Sequence, residues 1–68
     1  MLVTTKGTTV ARRQGYKLQE YSCGDHEESI YYIMRDMDVE ELFYASPRKG
    51  HREAVKYFRQ FIEELQRA

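Results

Sequence analysis

Ala54, Val55, Phe58, Phe61, Ile62 and Leu65 recur at the i, i+3, i+4, i+7 spacing of one helix face. Charged and amide side chains (Arg52, Glu53, Lys56, Arg59, Gln60 and Glu63 among them) take the positions between, so the spacing predicts one amphipathic helix ending near Arg67. Two start signals compete. Ser46 can cap a helix whose first residue is Pro47, or Gly50 can cap one with Glu53 three residues on. A single helix of this length is marginal in water and must lay its stripe on something. The chain has 68 residues, enough for one small core and no second domain.

The partner surface is a sheet. Tyr16–Tyr21 alternates, the 30–35 segment (Ile30, Tyr31, Tyr32, Ile33, Met34, Arg35) is rich in β-branched and aromatic residues, and the 41–45 segment (Glu41, Leu42, Phe43, Tyr44, Ala45) follows in kind. The polar stretch 23–29 links the first two, and a tight turn over Asp36, Met37, Asp38 and Val39 links the next two. Connections this short favour an antiparallel meander. The expected fold is therefore α+β: a three-stranded antiparallel meander packed on one C-terminal helix, β-β-β-α. Residues 15–68 make the domain, and residues 1–14 are either flexible or an added strand.

One helix covers one face of such a sheet, and both faces here hold apolar residues. Polarity suggests that Tyr16, Leu18, Ile30, Tyr32, Met34, Leu42 and Tyr44 face the helix. Tyr21, Tyr31, Ile33, Arg35 and Phe43 then form an aromatic and aliphatic patch on the open face, which is the expected partner interface. The N-terminal segment could instead cover that face with Leu2, Val3 and Val10. If the face assignment is reversed, a surplus apolar face still remains.

The helix start carries Arg48, Lys49, His51 and Arg52 beside the positive end of the helix dipole, and Glu63 and Glu64 lie near its negative end. Both are of the unfavourable sign. Such a start is a candidate contact for phosphate or for a partner's carboxylates, unless the side chains are solvated or neutralised by the acids of residues 36–41.

Charge arithmetic sharpens the functional reading. The chain has 11 basic and 11 acidic residues, but residues 1–17 hold four bases and no acid, 18–45 eight acids and one base, and 46–68 six bases and three acids. A neutral sum therefore hides a basic, acidic, basic order. Mean hydropathy is −0.78, yet nine aromatic residues and zero net charge argue for folding rather than disorder. One cysteine excludes an intrachain disulfide and suits a reducing, cytoplasmic compartment. No apolar run approaches the roughly 20 residues of a membrane helix.

Cys23 and His26 have a metal-like spacing, but His51 is the only other candidate of their kind and the set is too small for a structural zinc site. No catalytic residue, metal or cofactor is expected. These features point to a non-enzymatic accessory or regulatory protein acting by protein–protein interaction through its sheet, either as a homodimer or on a larger protein. The second reading is a nucleic-acid binder using the basic helix start and the basic N-terminal segment.

Overall fold

β-Branched and aromatic residues build four strands, and the periodic C-terminal segment builds the helix that covers them. A computed structural model describes residues 7–21 and 27–67. It contains β1 (Thr8–Arg13), β2 (Tyr16–Tyr21), β3 (Ser29–Arg35), β4 (Asp38–Ala45) and α1 (Arg48–Arg67). The strands pair antiparallel in the order β1-β2-β3-β4. The architecture is the expected α+β meander and helix, with the N-terminal segment supplying the added strand.

The β1–β2 and β3–β4 hairpins turn on left-handed residues. Gln14 and Gly15, with φ of 53° and 85°, form a two-residue turn that brings Arg13 opposite Tyr16. Consecutive positive φ values match the twist of the flanking strands. Asp36 (φ 57°) opens the β3–β4 turn, and Arg35 pairs with Asp38 across it. The last strand therefore begins at Asp38, three residues before the expected start at Glu41, and the turn is confined to Asp36 and Met37.

The helix start is more contorted than either capping signal implies. Lys49, Gly50 and His51 all lie in the left-handed region, with φ of 58°, 67° and 62°. Regular right-handed geometry begins at Arg52. The Arg48 N–H donates to Ser46 Oγ at 3.2 Å, and the His51 N–H donates to the Pro47 carbonyl at 3.3 Å. Ser46 and Gly50 thus act together, one capping the entry and the other easing the reversal. Counted from Arg48 the first turn holds no acid, but a right-handed helix beginning at Arg52 has Glu53 in its first turn, so its dipole is less opposed than the sequence suggests.

The core lies between α1 and one sheet face: Leu18, Tyr31, Ile33 and Ala45 from the strands, Ala54, Phe58 and Ile62 from the helix. Val10, Ala11, Tyr16, Phe43, Val55 and Phe61 close its rim. The shortest dimension of the fold is 15 Å, room for a helix and a sheet about 10 Å apart but not for a third layer.

This core corrects the expected face assignment. Tyr31 and Ile33, placed on the open face by polarity, are 0% exposed beneath the helix, and Phe43 packs at the same core. Ile30, Tyr32, Met34, Leu42 and Tyr44 belong to the face away from α1. The reason is register: Leu18 pairs with Ile33, not with an even-numbered neighbour, and a one-residue slip exchanges every side chain between faces. Val10 also packs on the helix side, beside an irregularity between Thr9 and Ala11, so it does not cover the open face. Leu2, Val3, Cys23 and His26 lie outside the described residues.

Phe58→Ala is expected to cost about 3–5 kcal/mol, read as a collapse of the urea midpoint, whereas half-exposed Leu65→Ala costs under about 1 kcal/mol. Lys49→Gly is expected to raise that midpoint by relieving about 1 kcal/mol of left-handed strain, and Gly50→Ala to lower it by a similar amount.

Candidate interaction surface

Alternation and register together lay out the open face row by row. Arg12, Lys17, Met34 and Val39 form one row, Thr9, Gln19, Tyr32 and Leu42 the next, and Tyr21, Ile30 and Tyr44 a third. The β1–β2 half is polar and basic, and the β3–β4 half is apolar. A second irregularity, at Glu40, lets Met34 pair with Val39 and keeps the apolar half continuous. Val39 is 49% exposed, Leu42 47% and Tyr44 61%, while Ile30, Tyr32 and Met34 are partly covered. Met37 projects from the adjoining turn, also exposed.

Of the five residues expected at this interface, one lies on the open face. Tyr21 packs on the Tyr32 ring at 4.9 Å and donates to Gln19 Oε1 at 3.2 Å. Gly7 approaches the same corner so closely that a Cβ there would fall 2.5 Å from the Tyr21 ring. Arg35 sits on the helix side at the sheet's end, its guanidinium 5.8 Å from the Tyr16 ring centre. Tyr31, Ile33 and Phe43 are core. Ile30, Tyr32, Met34, Val39, Leu42 and Tyr44 take their place, and only knowledge of strand register could have singled them out.

The aromatics on the helix side have a separate task. Phe43 stacks between Tyr31, at 5.4 Å, and Tyr57, at 4.1 Å. Tyr57 donates to Glu41 Oε2, and this bond together with burial raises its phenol above the usual range. Tyr31 Oη lies 3.0 Å from His51 Nδ1. With the ring proton on Nε2 the phenol donates, and with it on Nδ1 the imidazole does. Burial, reinforced by the negative charges of Glu20 and Glu53, pushes the Tyr31 phenol up to about 12. Nearby, Ser29 donates to Glu20 Oε2 at 2.8 Å, which satisfies a second buried hydroxyl of β3.

The four basic residues expected to form one anion contact at the helix start have different surroundings. Arg48 leans toward Glu27 at 3.7 Å, an exposed pair of little energetic weight. His51 is engaged by Tyr31. Lys49 and Arg52 are exposed.

Among the described residues no group of three His, Cys, Asp or Glu side chains could hold a metal ion, and no helix is long and apolar enough to cross a membrane. Comparison with protein-family models, curated proteins and solved structures finds no match, so the reading of this surface rests on its own geometry.

The raised Tyr31 phenol carries a pH signature. Its folded value lies above its unfolded value near 10, so its contribution to stability is complete below pH 10 and is lost as pH climbs from there toward about 12. Ultraviolet titration of the folded protein is expected to show Tyr31 ionising at about pH 12, with Tyr57 also above the ordinary tyrosine range. Tyr31→Phe removes the Tyr31 step and, by leaving His51 unbonded, costs about 1 kcal/mol.

Proposed function

We propose that this chain is a small non-enzymatic interaction module whose open sheet face pairs with a second copy of itself. The observation that carries the reading is the exposure of Val39, Leu42 and Tyr44 in one continuous apolar patch with Ile30, Tyr32 and Met34. A patch on the order of 500 Å² is as large as the largest on a typical monomer and often marks a contact site. Two copies would remove on the order of 1,000 Å² from water, the lower bound for a specific interface, which suits a weak, micromolar dimer.

A second copy is favoured by the layout of the face. A two-fold axis parallel to the strands, between β3 and β4, sets Tyr32 and Leu42 of one copy against those of the other. It also carries the two basic β1–β2 halves to opposite flanks. Like charges are thereby kept apart while apolar surface is shared. Zero net charge adds no long-range repulsion between copies.

The non-enzymatic reading is supported by how the chemistry-bearing groups are used. Tyr31 is buried, bonded to His51 and pushed up to about 12, which makes it a poor acid or base near neutrality. A single cysteine remains consistent with a reducing, cytoplasmic setting.

Sedimentation equilibrium across micromolar to high-micromolar concentrations is expected to show a reversible monomer–dimer equilibrium. Leu42→Glu is expected to abolish the dimer while leaving the circular dichroism spectrum intact. A strict monomer throughout, or a dimer indifferent to Leu42→Glu, overturns the reading and leaves the face to a different partner.

A further inference from the structure

At the far end of the sheet from the helix start, the β1–β2 hairpin and the β3–β4 turn frame a shallow cleft of about 400 Å³, lined by Arg12, Arg13, Gln14, Tyr16, Lys17 and Asp36 among others. Three cations and one carboxylate line it, Arg12 and Lys17 from the open face and Arg13, opposite Tyr16, from the helix side of the hairpin end. None of the three forms an ion pair with an acid among the described residues. Asp36 is the one acid in that lining, so the cleft is net basic.

Arg12 and Lys17 are direct partners across the β1–β2 ladder. Like charges facing each other across a pair of strands weaken the sheet. The hairpin that imposes this pairing is a rigid two-residue turn, with Gln14 and Gly15 both left-handed. Tyr16, next to Lys17 and on the helix side of the sheet, is held edge-on against Phe61 at 5.7 Å, with the Arg35 guanidinium 5.8 Å from its ring centre. The cations thus stand on a braced scaffold, and their mutual repulsion would be relieved by a bound anion.

We infer that this cleft binds the phosphodiester backbone of a nucleic-acid strand, with Arg12, Arg13 and Lys17 as the phosphate contacts. Guanidinium groups match the geometry of phosphoryl oxygens, and Lys17 adds a point charge beside them. The cleft is too shallow to surround a small ligand, as small-molecule sites do. A polymer that lays successive phosphates along the edge strand does not need enclosure. The site is not the helix start expected from sequence. It is centred on the β1–β2 hairpin and borders the patch proposed for self-association where Lys17 pairs with Met34, and monomeric Leu42→Glu protein is expected to retain it, so either reading can fail alone.

The test is fluorescence anisotropy of a labelled single-stranded oligothymidylate titrated with the full chain. Saturable binding is expected at low salt, in the range of about 10⁻⁴–10⁻⁶ M, with a log–log salt slope near about −2 for three phosphate contacts. The pair Arg12→Gln and Lys17→Gln is expected to weaken binding about tenfold or more, while its urea midpoint stays level or rises because the repulsion is gone. Should that pair disturb the fold, Lys17→Gln alone is expected to weaken binding and flatten the salt slope. Lys49→Gln with Arg52→Gln is expected to leave affinity unchanged. Absence of binding at low salt, or variants that bind like the parent, overturns the inference. So does displacement of the oligonucleotide by inorganic phosphate at equal phosphate concentration, which would make the site one for single ions.

Discussion

The placement of Tyr31 organises much of what surrounds it. Its ring is buried between sheet and helix, stacked on Phe43 from the neighbouring strand, and its hydroxyl meets His51 where the chain enters α1. This one side chain therefore links β3, β4 and the helix start. A buried phenol without a partner would be costly, and His51 supplies the partner only because the chain takes a left-handed turn through Lys49, Gly50 and His51. Local backbone strain at the helix entry is thus offset by a bond to the core.

Seating Tyr31 inward has an opposite consequence on the other side of the sheet. Alternation along β3 sends Ile30, Tyr32 and Met34 outward as surely as it sends Tyr31 and Ile33 inward. Because β3 and β4 are apolar on both faces, and one helix covers one face, the remainder lies open. The same alternation on β1 and β2 brings Arg12 and Lys17 to the open face. Two unlike surfaces, one apolar and one basic, therefore arise from a single choice of register, and they underlie the self-association and the nucleic-acid contact proposed for this chain.

Much of the fold was legible in the residues themselves. The stripe from Ala54 to Leu65 requires a helix, and short polar connections between strand-like segments require a meander. The surplus of apolar surface was equally legible, since it follows from counting faces rather than choosing between them. The site residues were less so. Arg35 was expected on the open face, yet it sits at the end of the helix-covered face, over Tyr16, and Glu41 at that face's edge accepts from Tyr57. Charges near a sheet's margin do not report which face is buried. The basic cleft was hidden for another reason: Arg12 and Lys17 are separated in sequence by a turn whose two-residue geometry alone makes them neighbours.

By itself, then, the sequence determined the kinds of element, their order, and the presence of apolar residues on both faces of the strands that one helix packs on, because periodicity is a local property. Tertiary structure alone decided which face of β3 and β4 is buried, how the chain enters the helix, and which cations share a cleft. Those depend on register and on left-handed turns, where a shift of one residue moves every side chain to the opposite side while leaving the hydrophobic pattern unchanged.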